Sequence, residues 1–395
     1  MSILQGPVAF IDDEIADSSK AAFAMKNALE ANGRPVIAFD ALPDTAAMEH
    51  WRSLSFLVLD WDLSHGSLGG LGATELSEFD REALLDFLAD FMGKVFCPVF
   101  IISAERTEGI ERSIKEDDRF ATASVLDTRI RILSKSVVAD DLLAHLEDWV
   151  EGNLALSVFK VWEQEYDLAK NRMFIDFNRL ESSWPSYVWR NALEDKVEPA
   201  FELAATLTAN LLHRIDLVKF DTETMLSGEH PPLSTVSMRK VTNGRTVIPR
   251  ERLHDNVVMP GDMFLDPGDT NVIWLNLSPA CHTVPGRLED GEDMRLFSVP
   301  GRKQVPPPSS KKFRDVFRES PNTFAIHALH DDSAYVFELK QARFLVWADV
   351  SSRRVGRLLA PYITRAQQAN AMFMLMEGVP RASFDMLYKE SSPSQ

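Results

Sequence analysis

Residues 54–62 read Leu54-Ser55-Phe56-Leu57-Val58-Leu59-Asp60-Trp61-Asp62. An apolar run, interrupted only by Ser55, stops at a carboxylate. Runs of this kind are expected of parallel strands that helices cover on both faces. Working outward, Val8-Ala9-Phe10-Ile11-Asp12 is a second short apolar run that ends in acids. Residues 15–32 follow with Ala21, Phe23, Met25 and Leu29 at helical spacing, then Val36–Phe39 reads as a strand and 45–51 as a short helix. Beyond Asp60, residues 76–91 are helical with Phe79, Leu84, Leu85, Phe87, Leu88 and Phe91 on the apolar face. Val99–Ile102 and Arg129–Leu133 complete five strands, and a helix over 138–150 closes the segment. Strands alternating with helices over one domain length predict βαβ units in a parallel sheet. The expectation for residues 1–150 is therefore an α/β domain with a doubly wound five-stranded parallel sheet.

In such sheets ligands sit outside the carboxyl ends of the strands. Polar residues recur there: Asp12 and Asp13 after the first strand, Asp60 after the third, Ser103 after the fourth, Lys135 after the fifth. Three carboxylates converging on one point repel unless a cation neutralises them. Oxygen-only ligands favour Mg2+, which takes one or two carboxylates plus water and phosphate oxygens. Asp60 is then a carboxylate nucleophile able to form an aspartyl phosphate. The Lys135 ammonium would offset charge on the transferring group, and the Ser103 hydroxyl could bond a phosphoryl oxygen.

The segments Phe10-Ile11-Asp12-Asp13-Glu14, Val58-Leu59-Asp60-Trp61-Asp62, Ile101-Ile102-Ser103-Ala104-Glu105 and Leu133-Ser134-Lys135-Ser136 resemble the four signature blocks of response-regulator receiver domains of two-component signalling. The resemblance covers residues 1–150 and implies a flavodoxin-like receiver fold. It implies that Asp12, Asp13 and Asp60 bind Mg2+, with the Asp62 backbone carbonyl completing the site. It also implies that Asp60 takes its phosphoryl group from a histidine kinase, that Ser103 is the switch hydroxyl and that Lys135 binds phosphate. Several features are unlike the family. Ser136 stands where a proline is usual, and the loop after Asp60 reads Ser64-His65-Gly66-Ser67-Leu68-Gly69-Gly70. Ile130 or Ile132 stands near the usual aromatic switch position. The spacings Asp60 to Ser103 (43) and Ser103 to Lys135 (32) are long.

After residue 150 the signals thin out. Leu156, Phe159, Trp162, Tyr166, Ala169 and Met173 recur at helical spacing, which predicts a connector helix over 154–177. That stripe either packs on its own chain or forms a homodimer. A second helical block over 187–215 is interrupted by Pro199, so 151–218 reads as a helical connector. From 219 to 395, Gly, Pro, Asn and Asp punctuate short β-rich runs: Thr246–Ile248, Asn271–Leu277, Tyr335–Leu339 and Phe344–Trp347. This predicts an α+β or barrel-like output domain, with 300–312 an extended loop and 352–378 helical.

Candidate chemistry there is diffuse. Cys281 and His282 are adjacent, but neighbours on extended chain face opposite ways. His327, His330, Asp331 and Asp332 form a polar cluster, and Glu338 with Lys340 faintly resembles a Mg2+-dependent nuclease motif. Residues 295–318 carry Arg295, Arg302, Lys303, Lys311, Lys312, Arg314 and Arg318 with Phe297, Phe313 and Phe317 interleaved. That pattern suits nucleic acid or a solvated loop complementing the acidic half. Arg353, Arg354 and Arg357 form a second basic cluster. Pro361-Tyr362, Thr364-Arg365, Gln368 and Gly378-Val379-Pro380 resemble the C-terminal regions of receiver proteins in bacterial anti-phage operons.

Bulk properties set the frame. A chain of 395 residues suggests two or three domains. Net charge is −17, and residues 1–150 hold 27 acidic against 13 basic side chains, so that half should repel nucleic acid. No stretch approaches the ~18 apolar residues of a membrane span, and the first residues lack the basic start of a secretory signal. Two cysteines with no metal spacing suit a reducing cytoplasm. The expected function is a phosphorelay response regulator. The alternatives are a receiver-controlled nuclease or hydrolase, and a scaffold with an unphosphorylated pseudo-receiver.

Overall fold

β1 (Val8–Ile11), β2 (Val36–Phe39), β3 (Phe56–Asp60), β4 (Val99–Ser103) and β5 (Ile130–Ser134) form one sheet. The computed structural model describes residues 4–63, 78–104, 107–120, 125–138, 141–226, 234–289, 291–304, 320, 322–326, 331 and 333–376. All neighbouring strands run parallel, in the order β2-β1-β3-β4-β5. This is the doubly wound order whose winding reverses between β1 and β3, the place where such sheets bind ligands. The α/β expectation holds.

The apolar runs explain the layers. Ala9, Ile11, Leu57, Leu59, Val99 and Ile101 point to one face, and Val8, Phe10, Phe56, Val58, Phe100 and Ile102 to the other. The first face is covered by helices Glu78–Lys94 and Thr107–Lys115 through Leu84, Leu88, Phe91, Ile110 and Ile114. The second is covered by Ala21–Ala31 and Leu142–Gly152 through Met25, Leu29, Leu146 and Val150. Each such buried side chain contributes about 1.5–3 kcal/mol. Arg129 fixes the entry to β4: its guanidinium donates to the Met92 carbonyl at 2.7 Å, to Cys97 at 3.2 Å and to Val95. Those carbonyls lie at and just past the end of the preceding helix, where unpaired acceptors are left over.

The connector helix spans Leu154–Asn178. Leu156, Ala169 and Met173 of the predicted stripe are buried, whereas Phe159 and Trp162 stay half exposed. The following block is two helices, Trp184–Glu194 and Pro199–Leu212, with Pro199 opening the second, where its missing N–H costs nothing.

The remaining strands are β6 (Val247–Pro249), β7 (Asp262–Leu265), β8 (Val272–Asn276), β9 (Arg295–Gln304), β10 (Thr323–Ile326), β11 (Ala334–Glu338), β12 (Arg343–Val346) and β13 (Arg354–Leu358). They form a curled antiparallel sheet in the order β10-β11-β9-β8-β7-β13-β6, with β12 also on β9. Two expectations are corrected here. Residues 300–304 are strand rather than loop. Pro306, Pro307 and Pro308, which carry the loop reading, come only after this strand, and Gly301 is needed because a Cβ there would lie 2.5 Å from the Phe337 ring. Residues 354–358 are strand rather than helix, and the helix begins at Tyr362. The chain divides into two compact units, Met1–Phe177 with Leu211–Gly228, and Asn178–Asn210 with Glu229–Gln395.

Candidate functional site

The sheet register decides which polar residues meet. Ile11 pairs with Leu59, Asp60 with Ile102, and Ser103 with Ser134. Asp12, Asp60, Ser103 and Lys135 are therefore all delivered to the carboxyl edge of neighbouring strands. Lys135, the first residue of a helical turn, places Nζ 2.7 Å from Asp60 Oδ2 and 3.1 Å from Asp12 Oδ2. Asp12, Asp13 and Asp60 each bring one carboxylate oxygen within 4.8 Å of the others. Asp12 and Asp60 are 0% and 1% exposed.

Local backbone turns hold the acids in place. The Glu14 N–H donates to Asp12 Oδ1 at 2.8 Å, and the Asp62 N–H to Asp60 Oδ1 at 3.1 Å. Asp12 Oδ2 has no hydrogen-bond partner; Lys135 lies at ion-pair distance without hydrogen-bond alignment. Burial pushes the Asp60 carboxyl up to about 7, helped by the Asp12 charge and opposed by Lys135. Burial raises Asp12 as well, against the pull of Lys135. Burial alone would lower the Lys135 ammonium, but Asp60 and Asp12 more than offset it and hold it above its ordinary value. Three carboxylates thus cluster beside one ammonium, and Asp12 Oδ2 has only the Lys135 ion pair. That surplus of hard oxygen ligands fits a divalent cation such as Mg2+. Asp12, Asp13 and Asp60 would hold it.

Besides the backbone role expected of it, Asp62 has side-chain contacts of its own. Its carboxylate accepts the Ser103 hydroxyl at 3.0 and 3.1 Å and the Ala104 N–H at 2.8 Å. Ser103 is fully buried. The only hint in the sequence is a second acid two residues after Asp60.

Among the described residues, the other candidates are not drawn together. Cys281 and His282 lie exposed on a single 3-10 turn, Ala280–Thr283, rather than on extended chain. Asp331 is bonded to Lys303 at 2.6 Å and to the Tyr335 hydroxyl at 3.0 Å, and Glu338 to Gln341. His327, His330 and Asp332 lie outside the described residues, as do 305–319 and 64–77. Of the basic stretch, Arg302 pairs with Asp269 at 3.0 Å and Lys303 with Asp331. The second basic cluster is not a surface one: Arg354 and Arg357 are buried against Asp262, because all three charges sit on adjacent strands. Among the described residues, the group Asp12, Asp13 and Asp60 has metal-ligand proximity. No described helix is long and apolar enough to cross a membrane.

No family model matches the chain, and no curated protein matches it. Among solved structures it is similar to a fusion carrying a trimeric coiled-coil segment of yeast Spc42, at 18% identity over 44% of this chain and 99% of that one, TM-score 0.26. It is also similar to a de novo designed Rossmann 2x3 fold protein, at 14% identity over 36% of this chain and 91% of that one, TM-score 0.22.

Proposed function

We propose that the parallel-sheet unit is a receiver that accepts a phosphoryl group on Asp60 from a histidine kinase and thereby switches the antiparallel unit. The observation that carries this reading is Lys135 Nζ lying 2.7 Å from Asp60 and 3.1 Å from Asp12 at the carboxyl edge of the sheet. An Asp60 oxygen attacks phosphorus, the bond from phosphorus to the donor imidazole breaks, and the imidazole leaves with the electron pair. The Lys135 ammonium balances the charge that gathers on the phosphoryl oxygens, and the Ser103 hydroxyl donates to one of them. A bound Mg2+ supplies further neutralisation of that charge. Hydrolysis by water restores the carboxylate and resets the switch.

The cytoplasm is the compartment this reading requires, since kinase and acceptor must share it. A defence role is proposed on the resemblance of residues 361–380 alone; unchanged phage plating after deletion of the gene would remove it. The scaffold reading is favoured by one observation, the Ser103 hydroxyl already bonded to Asp62. Incubation with acetyl phosphate and Mg2+ separates the two. The receiver reading predicts phosphoryl uptake that Asp60→Asn abolishes. No uptake from any donor, with Asp60→Asn and the parent chain alike in every assay, would leave the scaffold.

A further inference from the structure

Asp62 occupies two donors at the end of β4, the strand whose Ile102 pairs with Asp60. The Ser103 hydroxyl has one hydrogen, and the structure directs it at the Asp62 carboxylate. The Ala104 N–H also has one, and it points at the same carboxylate from 2.8 Å. Two donors converging on one pair of carboxylate oxygens form a small anion seat at the end of β4. A phosphoryl group offers the same kind of acceptor, anionic oxygens spaced to take two hydrogens. Neither donor can serve both anions at once. The two charges also repel if they share the site.

We infer that Asp62 is an internal competitor for the phosphoryl seat: its carboxylate holds Ser103 and Ala104 N–H in the unphosphorylated chain and must be displaced when Asp60 is phosphorylated. This rests on the acceptor reading of Asp60. With acetyl phosphate, an Asp60 oxygen forms the new bond to phosphorus and acetate leaves with the electron pair of the bond that breaks. The two hydrogens then pass from Asp62 to phosphoryl oxygens, so the hydrogen-bond count is conserved while Asp62 turns to solvent. Asp62 thereby sets a threshold, and uptake needs a stronger donor or a higher donor concentration than the bare site would. Asp62 is a positioning residue for Ser103 rather than a group that reacts.

The test uses the full chain, its Asp62→Ala variant and its Asp62→Asn variant. Phosphoryl occupancy is measured by intact mass against acetyl phosphate concentration with Mg2+, and binding of beryllium trifluoride, an unreactive phosphoryl analogue, by fluorine NMR. Exchange of a charge-assisted hydrogen bond predicts a half-saturating concentration about tenfold lower in Asp62→Ala for both probes. Asp62→Asn, which keeps an acceptor but not the charge, should fall between, and it carries the test if the alanine variant does not fold. A purely structural Asp62 would change melting temperature and leave half-saturation where it was. Uptake by the parent chain with equal half-saturation in both variants overturns the inference and leaves the acceptor reading standing. No uptake by any of the three overturns both. Uptake only in the Asp62 variants supports the inference in its strongest form.

Discussion

The two units of this chain each bury a cluster of opposite charges, and they treat it in opposite ways. In the antiparallel unit Asp262 is fully buried and satisfied. Its carboxylate accepts Arg357 Nε at 2.7 Å and the Met259 N–H at 3.0 Å, with Arg354 at 3.5 Å. The guanidiniums donate in turn to the Val257 and His254 carbonyls. In the parallel unit three carboxylates cluster, one lysine pairs with two of them, Asp12 Oδ2 has only that ion pair, and the Asp60 carboxyl is driven up to about 7. A satisfied cluster has nothing left to offer a ligand, and its role is to join β7 to β13. An overcharged one is destabilising unless something binds. Perturbed carboxyl groups at the switch point of a parallel sheet are where function is expected.

The comparison breaks first at Asp262. Replacing it with alanine leaves two buried guanidiniums uncompensated and should cost about 3–5 kcal/mol. Hydrogen exchange should show β7 and β13 losing protection while β1, β3 and β4 keep theirs. Unchanged protection would mean that the pair is not structural. Next in size is Lys135→Ala. Loss of one preorganised charge at a transferring group costs on the order of a hundredfold in rate. Initial rates with acetyl phosphate would read it, and an unaltered rate would remove Lys135 from the transfer step.

Asp60→Asn should act on stability in the sense opposite to Asp262→Ala. It relieves the Asp60–Asp12 repulsion and leaves Lys135 with a partner in Asp12, so in EDTA it should stabilise the chain by about 1 kcal/mol. Denaturant melts of the two proteins provide the measurement, and destabilisation would say that the site is a structural ion pair after all. The same carboxyl sets a pH dependence. Asp60 stands at about 7 in the folded chain against an ordinary 3.8, so the fold holds its proton more tightly than the unfolded chain does. Its contribution is fully present below the unfolded value and is lost as pH rises through about 7. The melting temperature of the metal-free chain should therefore drop by a few degrees more than that of Asp60→Asn between about pH 5 and about pH 8. Parallel curves would contradict the shift.

Much of the parallel sheet is legible because its strands bury both faces, so their identity is written in consecutive residues such as Phe56–Leu59 and Val99–Ile102. The site inherits that legibility, since Asp12, Asp60, Ser103 and Lys135 need only stand at the strand ends. Asp62 is not legible in the same way. Whether an acid two residues along turns back to Ser103 depends on a hydrogen bond 41 positions away in sequence. The antiparallel sheet hides more. β13 reads Arg-Val-Gly-Arg-Leu and buries both arginines, because Asp262 meets them from 95 residues back in the case of Arg357. Charges whose burial depends on a distant partner look like surface until the partner is known. The end of β9 is masked by the prolines at 306–308 that follow it, while Pro300 and Gly301 are held in the strand by pairing with β8 and Gly301 by the Phe337 ring.

The central claim is that Asp60 itself carries the phosphoryl group, and borohydride trapping tests it most directly. Borohydride reduces an acyl phosphate to an alcohol, so a phosphorylated Asp60 becomes homoserine and ordinary carboxylates are untouched. After acetyl phosphate and Mg2+, peptide mass spectrometry should find homoserine at position 60 and not at Asp12, Asp13 or Asp62. An unmodified Asp60, or conversion at one of its neighbours instead, would contradict the account.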